Sequence, residues 1–330
     1  MDTTTPRTAQ HLLFSAAVAA LTGLLLLLSF SAHGQAAVLT QNNDNQRSGA
    51  NLGETTLTPA NVKTTSFGKL FVRNLDDNVN GQPLYVPGVS VPGKGVHNLL
   101  IASTSDNYNN DRPSSLYAFD ADNPTESAPL WRHQFANSAE WTTCTPVIDP
   151  SAGIIYVVTK DLNDSGAARL RAINLSTGKA MPGSPVTIAA TVAGTGDGSS
   201  GGRLSFDTTQ ANCRPGLLLI NGNVYFAFSH NTDSFPYHGW VFGYHYNGSG
   251  FTRVAVFCVD PNGGEGGIWQ AGKGLAADSA GNIYLATGNG TFDPSTGSYS
   301  MCVVKLTTPG LKVADWFAPW DEQSQSNADL

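Results

Sequence analysis

One two-strand unit recurs along this chain, and its recurrence limits the fold more than any other feature. Each copy is a short apolar strand, a tight turn, and a second strand rich in Tyr, Ile and Val. Val147–Asp149, the turn Pro150-Ser151-Ala152-Gly153 and Ile154–Thr159 form one copy. Leu218–Ile220, Asn221-Gly222 and Asn223–Phe228 form another, and Ala276–Asp278, Ser279-Ala280-Gly281 and Asn282–Thr287 a third. Asn-Gly is the strongest short hairpin signal, because both residues tolerate positive φ. A looser first copy runs Tyr85–Val91, Pro92-Gly93-Lys94-Gly95 and Leu99–Ala102.

A third strand with a small central residue follows each copy: Leu116–Asp120, Leu170–Asn174, Val241–Tyr244 and, more loosely, Cys302–Lys305. A fourth closes each unit at Pro129–Phe135, Pro185–Ala189, Thr252–Val259 and Lys312–Phe317. Repeated four-stranded units are the signature of propeller blades. The predicted fold is all-β, a partial β-propeller with about four blades visible, at residues 83–135, 144–189, 214–259 and 272–319. Residues 35–82 form a lead-in segment with the first strands. Long polar loops join second to third strands, as in 106–114, 161–167, 231–239 and 289–300, and gather on one face, where binding usually happens. Residues 190–206 read as a Gly/Ser/Thr-rich insertion, expected to be mobile.

Charged residues make up only 13% of the chain, about half the usual ~25%. That suits strands and polar turns better than surface helices. The net charge of −7 excludes the clustered basic surface that a nucleic-acid partner needs. At the N-terminus, Arg7 precedes an apolar run from Leu12 to Phe30 and then small residues, so residues 1–34 read as an export signal cleaved after Gly34 or Ala36. The alternative is an uncleaved membrane anchor. Beyond that segment no membrane contact is expected, and the location is secreted or periplasmic. The cysteines Cys144, Cys213, Cys258 and Cys302 are too widely spaced for a Cys-x-x-Cys motif. Cys144 and Cys213 precede equivalent strands, so a disulfide between them is plausible; Cys258 with Cys302 is a second, weaker pairing.

Ala118-Phe119-Asp120 with Leu130-Trp131-Arg132, and Ala172-Ile173-Asn174-Leu175-Ser176-Thr177-Gly178, resemble the tryptophan-docking repeat of quinoprotein propellers, Ala-x-Asp-x-x-Thr-Gly-x-x-x-Trp. The first copy lacks Thr-Gly and the second lacks Trp. Asp44–Leu52, Leu57–Val62, Gln82–Val86, Tyr237–Val241 and Gly263–Gln270 resemble secreted bacterial pyrroloquinoline-quinone-like propellers over nearly the whole chain after the leader. The resemblance implies a propeller in which the Trp of one blade docks on its neighbour. It also implies a chain that continues past Leu330, so this one reads as a C-terminally truncated member.

Cofactor-binding members of that wider family carry adjacent cysteines, a Glu-Asn-Asp set around calcium, and a Trp beneath the quinone. Here no cysteines are adjacent, and Glu265 with Trp269 is the one close pair of that kind. Glu265, Trp269 and Gln270 are candidate binding residues, with the packed-loop reading of Glu265 and Trp269 preferred; His238 and Trp240 are further candidates, where His230, His238 and His245 cluster in sequence and a hydrogen-bonded aromatic cluster is the preferred reading. Asp76–Gly81 and Asp161–Gly166 mimic half a calcium loop, but Pro87 and Ala172 stand where a bidentate Glu is needed. Gly198–Gly202 matches Gly-x-Ser-x-Gly without the strand and helix of a nucleophile elbow. No catalytic or metal-binding set is complete. The expectation is an exported propeller that binds or scaffolds an extracellular ligand or partner, with no cofactor assigned. The alternatives are a pyrroloquinoline quinone- and calcium-dependent dehydrogenase, or a fragment of one, and an inert truncated product.

Overall fold

The computed structural model describes residues 36–105, 114–135 and 139–328. The expected export signal, or anchor, lies outside the described residues. No helix among these is long and apolar enough to cross a membrane.

Four antiparallel sheets follow one another along the chain, each a blade. Blade one is β1 (Leu84–Val91), β2 (Gly95–Ser103), β3 (Ser115–Asp120) and β4 (Trp131–Gln134). In blade two a split first strand, β5 (Glu140–Trp141) and β6 (Val147–Asp149), pairs with β7 (Ile154–Asp161), followed by β8 (Ala167–Asn174) and β9 (Val186–Thr187). A hairpin, β10 (Thr191–Ala193) and β11 (Arg203–Ser205), leads to blade three. There β12 (Ala211–Asn212) and β13 (Leu218–Ile220) pair with β14 (Asn223–His230), then come β15 (Trp240–Tyr246) and β16 (Phe251–Cys258). Blade four is β17 (Ala276–Ala277), β18 (Ile283–Ala286), a small hairpin β19 (Phe292–Asp293) and β20 (Ser298–Tyr299), then β21 (Val303–Thr307) and β22 (Lys312–Phe317). A six-residue helix, α1 (Glu322–Asn327), follows.

The apolar runs in the second strands now have a physical cause. β7 is buried along its whole length because both its faces are covered. Ile155 and Val157 join Leu84, Leu99 and Leu116 in the core between blades one and two. Ile154, Tyr156 and Val158 join Phe226, Phe228 and Phe242 between blades two and three. β14 repeats the alternation, its Tyr225 and Ala227 packing with Ile283 and Val304 between blades three and four. The Asn221-Gly222 turn has positive φ at both residues, 50° and 73°. Gly243 is the small residue of the third strand: a Cβ there would lie 2.6 Å from the Tyr225 ring. The outer face of blade four leaves Val303, Trp316, Phe317 and the following Trp320 exposed.

The docking motif is completed across two repeats. Trp131 of blade one donates Nε1–H to the Leu175 carbonyl of blade two at 3.0 Å. Its ring lies on Gly178, where a Cβ would come within 2.5 Å of the indole. The Trp that the second copy lacks and the Thr-Gly that the first lacks thus make one contact.

The 190–206 segment differs from expectation. It forms the β10–β11 hairpin, because Leu204 and Phe206 are drawn into the core between blades two and three. The two calcium-loop mimics are structural. Asp76 Oδ2 accepts from Ser115 Oγ (2.8 Å) and pairs with Arg132 (2.6 Å). Asp161 caps a short 3₁₀ turn and pairs with Arg169.

The lead-in segment runs along the first strands of all four blades. Val38 pairs with Tyr85 in blade one, and the Leu39 carbonyl accepts from the Ile148 amide in blade two. Thr40 Oγ1 donates to the Leu217 carbonyl in blade three. Asn45 donates to the Leu219 carbonyl, and its own carbonyl accepts from Ala277 in blade four. Gln41 lies against Gln82 and Thr145, beneath Gly216.

Candidate functional site

In an antiparallel four-strand meander, the connection between strands two and three leaves from the same end as the link to the next sheet. The connections at 231–239 and 287–302 and the links 188–217 and 259–275 therefore share one face. On it lies a cavity of about 110 Å³ between the β10–β11 hairpin and blade three. Asp197, Asp207, His230, Tyr237, His238 and Trp240 are among its lining residues.

His230, the last residue of β14, is 3% exposed. Its Nδ1 accepts from the Thr232 and Ser234 amides, both at 3.2 Å. The proton therefore sits on Nε2, which has no hydrogen bond among the described residues, and the side chain lines the cavity. Burial, helped by the Lys160 charge, holds this ring below the usual histidine range, so it is neutral. Its face lies on Tyr237 at 4.8 Å between centroids, and Tyr237 donates to Asp233 at 2.5 Å. Trp240, packed on Phe206 at 5.7 Å, forms a wall, while Asp197 and Asp207 are exposed at the mouth. His238 turns each ring nitrogen to a backbone carbonyl, Nδ1 to Asp260 and Nε2 to Asp197, both at 2.8 Å. The two contacts tie the hairpin tip to blade three.

Glu265 and Trp269 lie beside this cavity and do not line it. Glu265 has φ 73° and is the middle of three backbone segments. Its amide donates to the Tyr237 carbonyl at 2.8 Å, its carbonyl accepts from Gly239 at 2.9 Å, and it bridges Gly290. The Arg214 guanidinium stands over the Trp269 ring at 5.3 Å. A Cβ at Gly267 or Gly288 would come within 2.9 Å of the indole, so the ring is already packed. Gln270 accepts from the Ala286 amide and donates to the Gly274 carbonyl, holding its loop to blade four.

Asp260, in the same loop cluster, carries no sequence signal. It is fully buried, and its Oδ2 accepts from the Gly264 and Thr291 amides and from Ser300 Oγ at 3.0–3.1 Å. Oδ1 and the nearby Ser298 hydroxyl have no hydrogen bond of good geometry. Burial pushes the carboxyl above its ordinary range, against the pull of Ser298, Ser300, the Thr291 amide and His238. Such a group keeps its proton longer folded than unfolded. The stability it contributes is present at acid pH and is lost as pH rises from 3.8 through the folded value. Asp260→Asn should remove that pH dependence. Its carbonyl oxygen replaces Oδ2, and its amide gives Ser298 a donor. At pH 7 the variant should match or exceed the parent by up to about 1 kcal/mol, whereas Asp260→Ala should lose about 2–4 kcal/mol. Urea melts between pH 4 and 8 check this; an Asn variant as weak as the Ala variant would show that the charge is needed.

The four cysteines are buried thiols. Cys144 and Cys213 lie in one core, close enough for each thiol to shift the ionisation of the other. The weaker pairing is corrected: Cys258 faces the core between blades two and three, and Cys302 the core between three and four. Burial pushes each of these two thiols up to about 12.

A quinone–calcium pair finds a poor donor set here. Among the described residues no three His, Cys, Asp or Glu side chains gather to hold a metal ion. The Trp269 face that a quinone would need is covered by Arg214.

In fold the chain is similar to two solved structures. A quinohemoprotein alcohol dehydrogenase from Comamonas testosteroni matches with a TM-score of 0.54 at 15% identity, over 87% of this chain and 42% of that one. A europium-containing methanol dehydrogenase matches with a TM-score of 0.55 at 16% identity, over 88% of this chain and 51% of that one. This chain thus spans about half the length of these proteins or less. At such identity the likeness is one of fold, a β-propeller of the quinoprotein type. Neither a protein-family model nor a curated protein matches the sequence.

Proposed function

We propose that this chain is an exported, non-catalytic binding propeller, and that it takes a small uncharged polyhydroxyl ligand, such as one sugar ring, in the cavity beside blade three. The observation that carries this reading is the His230 Nε2–H, a donor with no hydrogen bond among the described residues, on a residue that lines an aromatic-walled cavity. A neutral donor inside, carboxylates at the mouth and the apolar faces of Trp240 and Tyr237 suit a ligand with hydroxyls on its edges and C–H groups on its face. Catalysis is disfavoured by the same hydrogen bonds. The only lone pair on His230 is held by two amides, so the ring donates a proton but cannot take one. Ser229 Oγ donates to the Asn212 carbonyl and is not activated by His230. Export rests on the apolar leader and its small-residue boundary.

Trp240 reports directly on the cavity. Its fluorescence should change saturably when the purified chain is titrated with aldoses and cyclic polyols. His230→Phe, which keeps the ring and removes the donor, should weaken that response tenfold or more, and Gln210→Ala, at another cavity-lining residue, should weaken it less. Pyrroloquinoline quinone with calcium is the comparison. Micromolar binding of the quinone would replace this reading with that of a dehydrogenase or a fragment of one. No response to any polyol would remove the cavity as the site.

A further inference from the structure

We propose that Cys144 and Cys213 are a disulfide site, which staples blade two to blade three at their inner strands when the chain folds in the presence of a small-molecule disulfide. The inference rests on backbone geometry. Both residues occupy the gap in a split first strand, Cys144 between β5 and β6 and Cys213 between β12 and β13. These gaps are laced together. The Leu217 amide donates to the Thr145 carbonyl at 3.0 Å, and Thr143 Oγ1 donates to the Cys213 carbonyl at 3.0 Å and to Asn212 Oδ1 at 2.9 Å. Each thiol is flanked by residues that already cross to the other blade, and the thiols meet in one core. Thr142 Oγ1 lies 3.2 Å from Cys144 Sγ. Burial works against the Cys144 thiolate, but the Cys213 thiol, Thr142 and nearby backbone hold it below the ordinary thiol range, while burial and Cys144 push Cys213 well above it.

The chemistry balances. Either thiolate can attack first; that of Cys144 attacks one sulfur of oxidised glutathione and releases one glutathione thiol. Cys213, losing its proton, attacks the mixed disulfide at the Cys144 sulfur and releases the second. Two protein thiols are oxidised by two electrons, and one small disulfide is reduced to two thiols. Because both sulfurs are buried in the folded chain, the exchange belongs to folding, before the blades close.

The test is to fold the full chain in a glutathione redox buffer, alkylate it under denaturing conditions, and map the peptides. The expected result is a joined Cys144–Cys213 peptide pair with Cys258 and Cys302 alkylated. Reduction should lower the thermal midpoint by on the order of 5–10 °C. The double variant Cys144→Ala/Cys213→Ala should show a midpoint insensitive to reductant. Four alkylated cysteines, a cross-link through Cys258 or Cys302, or a reductant-sensitive double variant would each overturn the proposal. None of these outcomes depends on the ligand cavity.

Discussion

Trp131→Ala should cost about 3–5 kcal/mol of folding stability, among the largest single effects available in this chain. The indole is 8% exposed and sits between two blades whose shared core contains Leu84, Ile101, Ile155 and Ile173. Removing it leaves a cavity in an interface that two rigid sheets cannot close. It also strips the Leu175 carbonyl of its donor. Trp131→Phe separates the two contributions, because it restores most of the apolar area but not the N–H, and should lose about 1–2 kcal/mol. Gly178→Ala approaches the same contact from the other blade. Its Cβ would meet the ring at 2.5 Å and its φ is +67°, so it should be destabilising although it adds only a methyl group. Urea denaturation of the three variants measures this. If Trp131→Ala costs less than about 1 kcal/mol, the docking contact contributes little and the blades are held by their inner strands.

That contact also illustrates what a single sequence can tell. Trp131 and Thr177-Gly178 are each half of a degenerate motif, and only neighbouring blades make them one. The second strands were legible because β7 and β14 are buried on both faces, which forces continuous apolar runs that stand out from polar loops. Their split partners were not. Glu140–Trp141 and Ala211–Asn212 are too short to show a period, and the intervening cysteine and proline read as loop. The β10–β11 hairpin was hidden for a related reason, since its Gly and Ser content masked Leu204 and Phe206, the two side chains that fix it. In the site, His238 and Trp240 stood out because aromatic and imidazole groups cluster there in sequence. The feature that gives His230 its chemistry did not, because a tautomer is set by which amides reach the ring. Asp260 was invisible for the same reason: its donors come from Gly264, Thr291 and Ser300, on two loops that only the fold brings together.

Arg47→Met should lower stability by about 3–5 kcal/mol, although the substitution removes a buried charge that has no carboxylate in salt-bridge contact among the described residues. A lone buried charge ordinarily favours replacement by an apolar side chain, since desolvation outweighs what it gains. The Arg47 environment reverses that balance. Its Nε donates to the Leu275 carbonyl at 2.9 Å, one terminal nitrogen to Thr40 Oγ1 (2.6 Å) and the Gln41 carbonyl (2.8 Å), and the other to the Leu217 carbonyl at 3.0 Å. Those acceptors belong to the lead-in segment and to blades three and four, so one guanidinium fastens a segment that has no sheet of its own. Methionine fills the volume and leaves the buried Gln41 and Leu275 carbonyls without these donors, while Leu217 keeps only Thr40. Each charge-assisted bond contributes about 1.5–3 kcal/mol before the cost of burying the charge is subtracted. Arg47→Lys should lose nearly as much, because an ammonium at the end of a flexible stem cannot match a planar fork aimed at three directions. Burial lowers the folded pKa to about 10 from 12.5, so the side chain is charged in both folded and unfolded chains at lower pH. The difference between parent and variant should therefore be flat from pH 5 to 9 by linkage. Urea melts across that range, with limited proteolysis of the first folded residues, test the argument. A variant within about 1 kcal/mol of the parent, with its lead-in segment still protected, would mean that the inner strands hold this segment without Arg47.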